Sequence, residues 1–123
     1  MLSLSQARIG QIAIVCEDVA RARTFYKDTL GVRHLFDAGP NLAFFESGSV
    51  RLMLSPAEGP AKGTSVLYFF VHDIETAARA LKARGVHFYR DPHMIAQMPD
   101  HELRLSEFRD SEGNVMALME EKR

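Results

Sequence analysis

Cysteine, long apolar runs and an excess of charge of either sign are missing from this chain. Its 123 residues include one cysteine, Cys16, so no disulfide can form within the chain, and its apolar surroundings favour a buried thiol. No apolar stretch approaches the ~18 residues that a membrane span needs. Residues 1–6 also lack the basic and apolar segments of a secretory signal. These absences predict a cytoplasmic protein.

The balance of charge excludes two classes of partner. Fifteen Lys and Arg residues stand against 16 Asp and Glu residues, so neither DNA nor anionic lipid is attracted electrostatically. Hydrophobic residues make up 46% of the chain, which is typical of a globular protein with one core. We therefore predict a single domain over residues 1–123 with no nucleic-acid or membrane partner.

The chain contains the same segment twice. Residues 9–32 align with residues 64–86, and the alignment matches Asp18 with Asp73 and Gly31 with Gly85. An apolar run typical of a buried strand precedes each Asp, which is well placed to cap a helix. Each Gly is a typical helix stop. A repeated supersecondary unit constrains the whole architecture, and here it begins with a strand and a helix.

Short turn sequences divide the rest of each unit into three further strands, which predicts the order βαβββ twice. The predicted strands are residues 9–16, 32–37, 42–46 and 50–55 in the first module, and residues 66–71, 86–90, 103–109 and 115–120 in the second. The modules span about 7–56 and 64–121, and residues 57–63 form the predicted linker.

A loop is predicted over residues 91–100, which contain two prolines and His93. His101 lies just beyond it. That loop either covers a site or is a plain solvent-exposed connection.

Two motifs resemble those of a known family. FYKDTLG at residues 25–31 and FRDSEGN at residues 108–114 are similar to motifs of the vicinal oxygen chelate superfamily, which includes glyoxalases, bleomycin-resistance proteins and extradiol dioxygenases. Ser111 replaces the usual proline of the second motif. The resemblance implies an α+β fold in which two βαβββ modules form curved mixed sheets around a cup, within one chain or across a dimer, with a small molecule inside.

The resemblance also implies four metal-ligand positions, and this chain fills them poorly. They align with Gln11, with Leu52 or Met53, with Val66 and with Ala117. Only Gln11 offers an oxygen, because hydrocarbon side chains cannot coordinate and a thioether is too soft for Mg, Mn or Fe(II). We therefore predict no metal and no other cofactor. A divalent metal in a rebuilt site remains the alternative.

Strand alternation predicts what lines the cup instead. Gln11 and Ala13 share one face of their strand with Val15, and the repeat matches that face with Val66, Tyr68 and Phe70. The predicted ligand-binding residues are Gln11, Ala13, Met53, Tyr68, Phe70, Glu107 and Ala117. Such a surface suits aromatic or apolar ligands. The alternative is that the aromatic residues fill the core.

Glu107 is predicted to lie opposite Ala117 in the closing hairpin. It is a candidate displaced ligand, general base or anchor for a cation, although a rim position paired with Arg109 or Arg104 is the favoured interpretation. His34, His72 and His87 are interpreted as surface or rim residues.

Three functional hypotheses follow. The leading one is a metal-free protein that binds a small aromatic or apolar molecule. The second is a lyase, isomerase or dioxygenase of the glyoxalase type, with Glu107 and His101 as its candidate catalytic residues. It would use either a rebuilt metal site that includes Gln11 or metal-free acid/base catalysis. The third is a scaffold whose cup is filled by its own side chains. Open sheet edges in each module also predict a homodimer.

Overall fold

The computed structural model describes residues 5, 9–56 and 65–123, and the chain divides into two compact units between Lys62 and Gly63. The predicted linker, residues 57–63, lies outside the described residues.

The first unit is a four-stranded mixed sheet with one helix. Its elements are β1 (Gln11–Val15), α1 (Val19–Thr24), a π-helical turn that continues α1 (Phe25–Thr29), β2 (Arg33–Asp37), β3 (Ala43–Ser47) and β4 (Val50–Ser55). The strand order is β1-β4-β3-β2, in which β1 is parallel to β4 and the other neighbours are antiparallel. The predicted βαβββ order is confirmed here.

The second unit repeats this arrangement. Its elements are β5 (Leu67–Phe70), α2 (Ile74–Ala83), β6 (Phe88–Gln97), β7 (Glu102–Arg109) and β8 (Val115–Lys122). The strand order is β5-β8-β7-β6, with β5 parallel to β8. None of the helices in the described part of the chain is both long and apolar enough to cross a membrane.

The predicted helix caps are confirmed. The Asp18 carboxylate accepts a hydrogen bond from the backbone N–H of Arg21 at 3.0 Å, and Asp73 accepts one from Thr76 at 3.2 Å. The backbone N–H of Thr76 and then its hydroxyl hold the pKa of Asp73 below its usual value. Each carboxylate thus satisfies a donor that the first helical turn leaves unpaired.

The predicted helix stops also adopt the left-handed backbone conformation, with φ of 71° at Gly31 and 89° at Gly85. Substituting Gly85 by Val should lower the free energy of unfolding by more than ~1 kcal/mol, because a β-branched residue is strained at this φ. Denaturant unfolding measures the change. Gly10→Val is the matched control, since a Cβ at Gly10 would meet nothing within 4 Å and its φ is not positive. Equal stability of the two variants would contradict the strain argument.

The predicted loop over residues 91–100 is wrong for most of its length. Strand β6 continues to Gln97, and only residues 98–101 connect it to β7. Pro92 is tolerated because β6 is an edge strand. The outer side of an edge strand has no neighbour, so a residue whose N–H would point outward does not need to donate a hydrogen bond. The pairing with β7 also shifts register between Arg90 and His93, on either side of that proline. A bulged edge strand therefore replaces the covering loop.

Each sheet has one buried and one open face. The buried faces carry the core side chains Ile14, Phe45, Leu52 and Leu54 in the first unit and Phe108, Met116 and Leu118 in the second. The register shows that neighbouring residues on each strand point to the opposite face. These opposite faces are called the first and second open faces below.

Candidate ligand-binding site

The first open face carries three of the predicted site residues. Gln11 pairs in register with Arg51, and Ala13 pairs with Met53, so all four side chains lie on one face. Leu52 lies on the buried face and is 2% exposed. The alternative between Leu52 and Met53 is thereby resolved in favour of Met53 as the residue beside Gln11.

The Gln11 amide is already engaged by its neighbours. Its Oε1 accepts a hydrogen bond from Arg51 Nε at 2.8 Å, and its Nε2 lies 3.8 Å from Met53 Sδ. Arg51 was not among the predicted site residues, although its position next to Leu52 in an alternating strand places it on the open face. The one oxygen donor among the family ligand positions therefore contacts a fixed positive charge.

The Arg51 guanidinium also covers an aromatic ring. Its central carbon lies 5.3 Å from the centroid of Phe44, which pairs in register with Met53 on the neighbouring strand. Phe44 stacks on Phe36 at 4.6 Å between centroids, with an interplanar angle of 21°. One row of side chains thus crosses all four strands of the first sheet, and it consists of Gln11, Arg51, Phe44 and Phe36.

The second open face presents aromatic side chains to solvent. Tyr68 is 53% exposed and Phe70 is 63% exposed, so neither ring fills the core of its unit. Tyr68 lies opposite Ala117, and Phe70 lies opposite Met119. The fully buried Ala117 in turn lies opposite Glu107. Tyr68, Ala117 and Glu107 therefore follow one another across three strands, and the predicted position of Glu107 opposite Ala117 is confirmed.

The predicted ion-pair partners of Glu107 are wrong. Its carboxylate accepts a hydrogen bond from Tyr89 Oη at 2.8 Å and lies 3.5 Å from Arg90 Nη1. Arg104 points to the other face, where it pairs with Glu75, and Arg109 lies over the Tyr89 ring. Burial first, and then the hydrogen bond to Glu107, raise the pKa of the Tyr89 phenol. The irregular pairing of β6 brings Tyr89 and Arg90 to Glu107.

The structure does not bring the two candidate catalytic residues together. Six positions of extended chain separate His101 from Glu107, which is roughly 20 Å at ~3.3 Å per residue. His101 Nδ1 lies 2.7 Å from Asp100 and its Nε2 lies 3.7 Å from Glu121. The remaining loop candidate, His93, contacts the carbonyl oxygen of Asp91.

The other three histidines, at positions 34, 72 and 87, are not among the predicted site residues. His72 and His87 are exposed, as predicted. His34 is half-buried, with its ring 5.1 Å from that of Phe45 and its Nε2 2.8 Å from Asp37. The hydrogen bond from His34, and that from Arg23, lower the pKa of Asp37. We assign no ligand-binding role to these residues.

A polar concavity of about 680 Å³ lies beside the N-terminus of α2 in the second unit. Its charged side chains form ion pairs with one another and hydrogen bonds with the helix. Arg104 pairs with Glu75 at 2.9 Å, and Glu120 accepts a hydrogen bond from the backbone N–H of Ile74. Arg104 Nε is buried without a partner among the described residues. We interpret this surface as the polar seam between helix and sheet.

The donors at the family positions do not fit a divalent metal. Gln11 is bound to a guanidinium, Met53 offers only a soft sulfur, and Val66 and Ala117 offer no donor atom. Across residues 9–56 and 65–123, moreover, no three His, Cys, Asp or Glu side chains cluster in a way that could hold a metal ion.

Comparison with known proteins places these features in context. The family model described as "Glyoxalase/Bleomycin resistance protein/Dioxygenase superfamily" matches residues 8–118. No curated protein matches the chain.

Three solved structures illustrate the likeness of fold. A superfamily member from Sphaerobacter thermophilus DSM 20745 is 29% identical, with 96% of this chain and 100% of that one covered and a TM-score of 0.77. Lactoylglutathione lyase from Agrobacterium tumefaciens is 22% identical, with 93% of each chain covered and a TM-score of 0.75. TnmS3, an antibiotic binding protein from Streptomyces sp. CB03234, is 20% identical, with 98% and 100% covered and a TM-score of 0.78.

Proposed function

We propose a small-molecule-binding function for this chain, which belongs to the Glyoxalase/Bleomycin resistance protein/Dioxygenase superfamily. The ligand is a small aromatic or apolar molecule, held without the standard metal site in the cup that the family fold implies. The proposed contacts are Gln11, Ala13, Met53, Tyr68, Phe70 and Glu107. Ala117, the seventh residue that the sequence predicted, is fully buried and offers a ligand no surface.

The observation that carries the proposal is the exposure of Tyr68 and Phe70. Two aromatic rings, 53% and 63% exposed, stand on the same face of one short strand. Water contact with so much apolar surface is unfavourable by roughly 25 cal/mol per Å², and a planar ligand would remove that contact. The Tyr89 and Glu107 side chains add a polar border for orienting the ligand.

Binding is favoured over the enzyme hypothesis by the chemistry of the side chains. A rebuilt metal site would need Gln11, Glu107 and His101, but Gln11 is bound to Arg51, and Glu107 lies far from His101 along one strand. One structural neighbour is an antibiotic binding protein, which supports sequestration as a function available to this fold. The homodimer and the cytoplasmic location stay predictions.

We expect the purified protein to contain no stoichiometric Zn, Ni, Mn or Fe and to melt at the same temperature with and without chelator. A cation entering the site would lose its hydration with little to replace it, and such desolvation is very costly. Plasma mass spectrometry of protein purified without chelator measures the metal content. One metal per chain, abolished by Glu107→Gln or His101→Ala, would instead support the enzyme hypothesis.

A thermal-shift screen of planar aromatic compounds tests the proposed function itself. A ligand that binds only the folded state stabilises it by about 2.7 kcal/mol at a hundredfold excess over Kd, so hits should raise the melting temperature by several degrees. Glutathione adducts of dicarbonyls should be included, because their conversion to product would identify a glyoxalase-type enzyme. If no planar aromatic raised the melting temperature, the proposal would fail.

A further inference from the structure

We propose that Arg51 forms an anion-binding site on the first open face, and that the ligand is therefore an aromatic carboxylate. This inference rests on the proposed function and names the chemical class of its ligand.

The guanidinium of Arg51 is oriented before any ligand arrives. Its Nε donates to Gln11 Oε1 at 2.8 Å, and its central carbon lies over the Phe44 ring, 5.3 Å from the centroid. These two contacts leave Nη1 and Nη2 without an acceptor among the described residues. Two parallel N–H groups on an oriented guanidinium match the two oxygens of a carboxylate, and such bidentate pairs are stronger than neutral hydrogen bonds.

The acidic side chain that pairs in register with Arg51 forms its ion pair with another arginine. Glu46 lies opposite Arg51 in register on the same face, and opposite Arg33 on its other side. Its carboxylate pairs with Arg33 at 3.4 Å, whereas no Arg51 ion pair forms within the described residues. Among the described residues, this face therefore carries two arginines and one carboxylate. Glu46 neutralises Arg33, and no described residue neutralises the charge of Arg51 by an ion pair.

Aromatic surface continues directly from the guanidinium. Phe44, under Arg51, stacks on Phe36, which is 46% exposed. A ligand whose carboxylate reaches Arg51 can place part of its apolar surface against Phe36. The row thus recognises both ends of an aromatic acid: a guanidinium for the carboxylate and a phenyl ring for the apolar part.

The site also gives the Gln11 amide a role. By accepting from Nε, the amide fixes the direction in which the other two guanidinium nitrogens point. Gln11 is accordingly a positioning residue for Arg51. The positive charge that attracts the carboxylate then belongs to the Arg51 side chain, and no bound metal ion is needed for it.

Binding of 2-naphthoate and of its uncharged isostere 2-naphthamide, measured by calorimetry, tests the proposal. The wild-type protein should bind the carboxylate roughly ten- to a hundredfold more tightly, the range of a charged hydrogen-bonded pair. Arg51→Met should abolish this preference, because it removes the charged donors that distinguish an ionised carboxylate from a neutral amide. Gln11→Leu should reduce the preference without changing the charge.

The matched control is Arg33→Met, which removes the same charge from the same face but from a guanidinium paired with Glu46. That variant should keep the preference for the carboxylate. Melting temperatures of all variants establish that each one is folded.

Two results overturn the anion site while leaving the proposed function intact: equal affinities in the wild type, or a preference that persists in Arg51→Met. A preference lost equally in Arg33→Met would show general surface charge and would also overturn it. Failure of both probes to bind would overturn this inference, and the proposed function would fall with it only if the thermal-shift screen also yielded no planar aromatic ligand.

Discussion

Replacing Tyr68 and Phe70 together by Thr should weaken the binding of an aromatic ligand roughly 100-fold. Each ring offers exposed apolar surface, and its loss is expected to cost about 1.5 kcal/mol of binding free energy, or ~3 kcal/mol for both. Threonine keeps the strand propensity of β5. Because both rings are more than half exposed, the free energy of unfolding should change by less than ~0.5 kcal/mol. Ligand titration and denaturant unfolding measure the two effects.

The control for this pair is Met94→Thr with Ile95→Thr. Those side chains are 49% and 46% exposed on the edge strand β6, so the control removes two exposed apolar side chains from another place. Its ligand affinity should stay within about twofold of wild type. Equal losses in both double variants would show that ligands adhere to any apolar surface of the chain, and would argue against a specific site.

Phe45→Ala should lower the free energy of unfolding by about 3–5 kcal/mol, which is a large part of the 5–15 kcal/mol typical of a domain. Phe45 is fully buried, 6.1 Å from the Tyr26 ring and 5.1 Å from that of His34. Truncation removes a whole ring from the core and leaves a cavity that the surrounding sheet and helix cannot close. The midpoint of urea unfolding should fall accordingly.

Phe36→Ala is the matched control for the core substitution, because it removes the same ring from the same sheet. Phe36 is 46% exposed, and its removal should cost less than ~1 kcal/mol. A comparable loss of stability in the two variants would mean that the open face is part of the folding core. In that event the open faces would have to be reinterpreted as structural surfaces.

Local sequence signals predicted the parts of the fold that depend on local physics. Asp18 and Asp73 cap helices because a carboxylate satisfies free N–H groups within its own turn. Gly31 and Gly85 end helical segments because a left-handed conformation is strained for other residues. The repeat then fixed the order of strands, since each copy must bury its apolar face in the same way.

The features that the sequence did not predict depend on pairing between distant strands. The extension of β6 through Pro92 required knowing that this strand lies at the sheet edge. The partners of Glu107 required the irregular register that brings Tyr89 and Arg90 beside it. The pairing of Arg51 with Gln11 depends on the register between β1 and β4, which are 40 residues apart in the chain.

The parallel edge strands have a consequence for the order of folding. The hairpin of β7 and β8 closes locally over a turn in which Asp110 accepts hydrogen bonds from the N–H groups of Glu112 and Asn114. Strand β5, in contrast, joins β8 across a long segment of chain, and such non-local pairing forms late. β1 joins β4 in the same way. The edge strands β1 and β5, which carry Gln11 and Ala13 and the aromatic pair Tyr68 and Phe70, should therefore be the last to form and the first to open. Faster amide hydrogen exchange in β5 than in β7, slowed by bound ligand, would show that ligand binding is coupled to the final step of folding.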